Sequence, residues 1–214
     1  MLRDLIFRVG FRSVSLLLVI AASTVPILAQ SSRESQDVHL RNDCRLAAQT
    51  LTKGHPAPKT DWALSIIYRC DASGGPALQA LWAAPTVDSV ALQQLVTASS
   101  KLLDQRVYDA VTATARNTGA PRSVRFAAMR VLAAFVSNTT FIDPDDLEKT
   151  NPDTTIIKPF STVSGGLVQF ISSVPLSATA PNDIRALFAT LARTDADPIV
   201  RRACRALQVR FSGP

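Results

Sequence analysis

The chain has 214 residues, a formal net charge of +6, 47% hydrophobic and 19% charged side chains. That is enough apolar material for one packed core. The positive charge is modest and spread along the sequence without a Lys/Arg run, which argues against a nucleic-acid partner.

The first segment reads as a targeting signal. Arg3, Arg8 and Arg12 precede 17 uncharged residues from Ser13 to Ala29, centred on Leu16-Leu17-Leu18-Val19-Ile20. Ile27-Leu28-Ala29 before Gln30 resembles a small-residue cleavage site, so residues 1–29 fit a secretory signal peptide. The alternative is an uncleaved N-terminal anchor, for which 17 residues with Pro26 near the end are at the lower limit. Cleavage would remove three Arg and one Asp, leaving +4 on about 185 residues. The mature chain is then expected in a periplasm or outside the cell, without further membrane association.

Residues 30–42 are polar and expected to be loose. Helical units are expected over 43–137. Asp43 can cap a helix to about Lys53, broken by Gly54-His55-Pro56-Ala57-Pro58. Thr60 or Asp61 can cap a second helix, Trp62 to Cys70. Cys44 then opens one helix and Cys70 closes the next, so in an antiparallel hairpin their sulfurs can meet. An exported chain permits the bond, worth about 3 kcal/mol for a loop this size. Three separate thiols are the alternative in a reducing compartment. Cys204 falls on an apolar helix face and reads as an inert core thiol.

Ser73-Gly74-Gly75 reads as a turn before a short helix, Pro76 to Ala83, stopped by Pro85. Thr86 can cap a longer helix through Leu103, with Leu92, Leu95, Val96, Leu102 and Leu103 at helical spacing. Gln105 to Asn117 follows, and Asn117-Thr118-Gly119 ends it. The next helix, Pro121 to Val136, is apolar nearly all round and is expected to be buried on both sides. If uncovered, Phe126 and Met129 on it would form a ridge for self-association.

The pattern fails over 138–181, read as an irregular insertion able to hold a β-hairpin. Thr154 to Phe160 suits a strand, and Leu167 to Val174 suits a second strand or a short helix. It resumes over 182–214. Ile184, Leu187, Phe188 and Leu191 share one face of a helix, and Asp195-Ala196-Asp197-Pro198 turns the chain. The last helix buries Val200, Ala203, Cys204, Leu207 and Phe211 and exposes Arg201, Arg202 and Arg205. These arginines can meet an acidic partner or simply keep a terminal helix soluble. Asp197 and Arg201 are spaced for a local ion pair.

Two phrases correspond. Asp197-Pro198, Val200-Arg201, Ala203 and Ala206-Leu207 near the end match Val124-Arg125, Ala127-Ala128 and Leu132 in the middle, where Gly119-Ala120 replaces the Asp of the turn. They resemble the second helix of HEAT-like repeats, as in bacterial HEAT-repeat proteins and the repeats of phycobilisome lyases. The resemblance covers Gln105–Val136 and Asn182–Phe211. It implies an all-α fold, a short α-solenoid with a right-handed stack and a protein- or peptide-binding surface. It carries over no catalytic residue.

Motifs for chemistry are sparse. His39 and His55 lie in expected loops with no Cys or carboxylate at metal-ligand spacing. The acidic stretch Asp143-Pro144-Asp145-Asp146-Leu147-Glu148 lacks an EF-hand's spacing and reads as a solvated helix start. Neither a Gly-x-Ser-x-Gly nor a phosphate loop occurs. Asn138-Thr139-Thr140 matches a glycosylation acceptor, relevant only in a eukaryotic secretory host. The expectation is an exported, non-enzymatic scaffold for a protein or peptide, with no cofactor and no metal. The alternatives are an enzyme or lyase-type accessory with its site in 138–181, and a self-associating structural subunit.

Overall fold

The computed structural model describes residues 38–53, 57–85, 88–137 and 168–211. The leader, His55, the cap at Thr86, the Asn138 acceptor, the acidic stretch and the strand expected at Thr154 to Phe160 lie outside them. Eight helices hold 79% of the described residues, against two strands of two residues each. The class is all-α.

The chain divides into two compact units, 1–43 and 44–214. Of the first, only residues 38–43 are described, and they are helical.

Helix α1 covers residues 38–53; the segment expected to be loose is therefore helical from residue 38, well before Asp43. α2 runs Ala57–Ile67 and α3 Asp71–Ala83. Between them Arg69 and Cys70 donate backbone N–H bonds to Ile66 and Ile67, a tight corner that takes Cys70 out of α2. Cys44 and Cys70 are disulfide-bonded with Cα atoms 5.4 Å apart. Such a bond belongs to an oxidising, extracellular compartment.

The turn expected at Ser73-Gly74-Gly75 is instead inside α3. A Cβ on Gly74 would lie 2.5 Å from the Ile67 carbonyl oxygen, and one on Gly75 would strike the Asp104 carboxylate and Arg106. These glycines are there because neighbouring groups come too close for any side chain. Pro76 sits within the same helix without the N–H that would bond one turn back.

α4 is Ser89–Lys101, capped by Asp88, whose carboxylate accepts from the Ala91 N–H at 2.8 Å. It ends before Leu102 and Leu103, which were expected to be helical. They form β1, Leu102–Leu103, paired in parallel with β2, Phe170–Ile171, in the register Leu102 to Phe170. The strand expected within Leu167 to Val174 is present as β2, and its expected hairpin partner at Thr154 to Phe160 lies outside the described residues. The returning chain is held further by the Gln169 amide, which donates to the Ser100 and Ala134 carbonyls at 3.1 and 3.2 Å. Gln105 N–H donates to the Val174 carbonyl, and Ser173 N–H to the Asp71 carboxylate.

α5, Gln105–Arg116, is capped by Asp104, whose carboxylate accepts from the Arg106 and Val107 N–H groups. Asn117 ends it, accepting a bond from Gly119 N–H. α6, Arg122–Ser137, buries both of its sides, from Val124 and Ala128 to Phe126 and Met129. α7, Ala180–Thr194, starts just inside the span assigned to the insertion. α8, Pro198–Phe211, starts on Asp197, whose carboxylate accepts from Ile199 N–H at 2.8 Å.

The helices alternate between two rows. α4 packs between α2 and α6, α3 packs on α5, α5 on α6, and α6 also meets the α7–α8 pair. Trp82, Ile67, Leu78, Met129, Leu132, Ile184, Phe188 and Leu207 lie fully buried in the core. Each such side chain stabilises the fold by roughly 1.5–3 kcal/mol. The Trp82 indole N–H is not left unpaired; it donates to the Ser99 hydroxyl at 2.8 Å.

Candidate functional site

The residues singled out in the sequence do not converge. Phe126 and Met129 are only 2% and 0% exposed, so the self-association ridge expected there is not a surface. Burial follows from α6 being packed by α4, α5, α7 and α8. Arg201 donates to the Asp195 and Ala196 carbonyls, closing the α7–α8 turn. Arg202 is half-buried and Arg205 exposed on the same helix. Asp197 does not pair with Arg201 through its side chain; it accepts from Arg122 at 2.6 Å. His39 is exposed on α1 rather than in a loop. Among the described residues no three His, Cys, Asp or Glu side chains gather as a metal site.

The two corresponding phrases do meet. Arg125, buried in α6, forms an ion pair with the buried Asp195 and donates to the Ala115 carbonyl at 3.1 and 3.2 Å. Burial raises the Asp195 carboxyl's pKa. Hydrogen bonds from Arg125 and the Asp197 N–H outweigh it, holding the carboxyl below its ordinary value. Asp197 is likewise held low, burial being outweighed by bonds from Arg122 and Ile199. This cluster joins α6 to the α7–α8 turn. Cys204 beside it is pushed up to about 12 by burial and by the Asp195 charge, which keeps it an unreactive thiol.

Among the described residues, three clefts between helices stand out. One, of about 640 Å³, lies between α5 and α7. Asp109 there accepts from Gln105, Asp183 from Thr179, and the Thr190 and Thr194 hydroxyls bond to carbonyls of their own helix, while the Thr112 hydroxyl is buried without a hydrogen-bond partner. Burial and the nearby Asp183 raise the Tyr108 phenol there. A second, of about 310 Å³, lies between α7 and α8.

The third is a groove of about 450 Å³ between α2 and α4, lined by Asp61, Leu64, Ser65 and Tyr68 on one wall and Val90, Gln93, Gln94, Thr97, Ala98 and Lys101 on the other. The spacing has a simple origin. Positions 61, 64 and 65 of α2, with Tyr68 one residue beyond its end, and 90, 93, 94, 97, 98 and 101 of α4, each make one helical stripe. Leu64 and Ala98 give it an apolar floor and are buried. The Lys101 ammonium stands 4.5 Å from the centre of the Tyr68 ring, and the Arg69 guanidinium 5.7 Å from the same ring. Phe170 packs on Tyr68 from the returning segment, ring centres 5.5 Å apart. Gln94 Oε1 is shielded from solvent and has no hydrogen-bond partner.

An amide acceptor without a donor, a cation without a carboxylate and an apolar floor suit a ligand with its own N–H groups and an anionic end. Sequence reasoning missed these residues. The available signal was Gln93-Gln94 on one helical stripe with Val90, Thr97, Ala98 and Lys101.

Comparison with protein-family models, with curated proteins and with solved structures finds no match to this chain. Among the described residues no helix is long and apolar enough to cross a membrane.

Proposed function

We propose that this chain is an exported, non-enzymatic scaffold of HEAT-like helix pairs that binds a protein or peptide partner. The observation that carries the reading is the α2–α4 groove, with Gln94 Oε1 unpartnered on one wall. The alternation of helices between two rows supports the solenoid part. So does the way Arg122 and Arg125 of one phrase grip Asp197 and Asp195 of the turn before the other. The Cys44–Cys70 bond and the leader-like sequence of residues 1–29 support export.

The test uses a proteolytic digest of the native host's exported proteins, passed over immobilised chain 30–214. Retained peptides are identified by mass spectrometry. The expected result is a small peptide set sharing a sequence feature, with slowed amide exchange in α2 and α4 when the strongest of them is added. Retention no better than on the reduced, urea-unfolded chain overturns the reading.

A further inference from the structure

We infer that the α2–α4 groove takes an extended peptide by its C-terminus, with Lys101 holding the terminal carboxylate. The inference rests on the peptide-binding reading above and adds the chemistry and direction of the ligand.

The length fits. From Val90 to Lys101 α4 rises about 16 Å at 1.5 Å per residue, which about five extended residues would span. The polar groups fit as well. Gln93 and Gln94 each carry one amide donor–acceptor set, the same pair that a peptide backbone presents. The terminal torsion of a glutamine is soft, so the Gln94 amide can turn its unpartnered oxygen toward a peptide N–H.

Charge sets the direction. Asp61 lies at the end where α2 begins, and Lys101 at the end where α4 stops. A carboxylate is repelled at the first and attracted at the second, where Arg69 adds a second cation around Tyr68. Among the described residues Lys101 has the Tyr68 ring as its partner and no carboxylate. The aromatic face attracts the cation but leaves its N–H donors for an anion.

The chain itself makes the Lys101 end a stop. Gln169 bonds to the Ser100 carbonyl and Phe170 lies against Tyr68, so the 168–174 segment crosses where α4 ends. A peptide laid in the groove meets that crossing immediately beyond Lys101. A terminal carboxylate suits this position because nothing has to continue past it. An acidic side chain in mid-peptide would leave its following residues against the 168–174 segment.

The experiment titrates the oxidised chain 30–214 with three fluorescein-labelled random pentapeptide pools, read by fluorescence anisotropy. One pool ends in a free carboxylate, one in an amide, and one in an amide after a fixed Glu. The free-acid pool is expected to bind at least about tenfold more tightly than the plain amide pool. Lys101→Gln should erase that difference, Lys101→Arg should restore most of it, and Gln94→Leu should weaken both pools alike. Thermal melting of each variant confirms that it is folded. Equal binding of acid and amide pools overturns the inference, as does an acid preference that survives Lys101→Gln. Binding of the Glu-amide pool as tight as the free acid overturns the C-terminal assignment in favour of acidic side chains. If no pool binds while digest peptides are still retained, the groove assignment fails and the scaffold reading stands.

Discussion

The Arg125–Asp195 pair offers the sharpest check on how the two halves of the described helical array are joined. Both side chains are almost fully buried, at 3% and 1% exposure. Asp195→Ala removes both carboxylate acceptors from Arg125, together with the acceptor for the Asp197 N–H at 2.9 Å. It leaves a guanidinium in the core with only the Ala115 carbonyl for company. Breaking a buried pair by removing one partner destabilises by about 3–5 kcal/mol, because the surviving charge is uncompensated. For a domain this size that is a fall in Tm of roughly 6–20 °C. Arg125→Met should cost a similar amount, since it strands Asp195 and an acceptor at Ala115 together. The double variant Arg125→Met with Asp195→Ala should be well above the sum of the singles in stability, since no lone charge is left. Urea unfolding followed by circular dichroism at 222 nm measures all four corners of the cycle. Singles costing less than about 1 kcal/mol, or strict additivity, would refute the argument that this pair locks α6 to the α7–α8 turn.

Three further outcomes are expected. Asp104, Asp195 and Asp197 all ionise below their ordinary value, because hydrogen bonds from Arg106, Arg125 and Arg122 outweigh burial. Folded carboxyls that hold protons more weakly than the unfolded chain stabilise fully above about pH 5, and that stability is lost as pH falls through 4 and below. The urea midpoint should therefore drop between pH 5 and pH 3, and a flat profile over that range would count against the three pairs. Replacing Cys44 and Cys70 by Ser opens a loop with a sequence separation of 26 and should cost about 3 kcal/mol, roughly 6–12 °C in Tm; an unchanged melting curve would contradict it. Gly75→Ala should destabilise by about 1–3 kcal/mol by crowding Asp104 and Arg106. That sign is diagnostic, because helix propensity alone would make the same change stabilising by nearly 1 kcal/mol.

Where local chemistry decides the structure, the sequence was readable. The 3.6-residue stripes of α5, α6, α7 and α8 stood out, as did the Asn117–Gly119 stop and the Asp197-Pro198 start, since each depends on residues a few positions apart. The disulfide was also within reach, because two adjacent helices bring their far ends together. Two of the misreadings have a distant partner. Gly74-Gly75-Pro76 carries every mark of a turn, yet the chain is helical there because α2's end and the Asp104–Arg106 pair press against it. Leu102 and Leu103 continue the apolar rhythm of α4, yet they extend because Phe170 and Ile171 return to pair with them.

The candidate groove was hidden for the same reason, and the reason bears on how such a site would arise. Asp61, Tyr68, Gln94 and Lys101 are each unremarkable on their own helix; only the packing of α2 on α4 makes them one surface. Nothing in the core requires Gln94, whose carbonyl oxygen is shielded and unsatisfied there. A Leu at that position would bury well and leave no orphan acceptor. Arg125, by contrast, satisfies every bond its burial demands and so needs no ligand to account for it. A polar group that weakens the fold it sits in is better explained by what it can bind than by what it holds together. That contrast separates the α2–α4 groove from the Arg125 cluster as a place to look for a partner; the larger α5–α7 cleft, where the Thr112 hydroxyl is likewise buried without a partner, is the comparison to test it against.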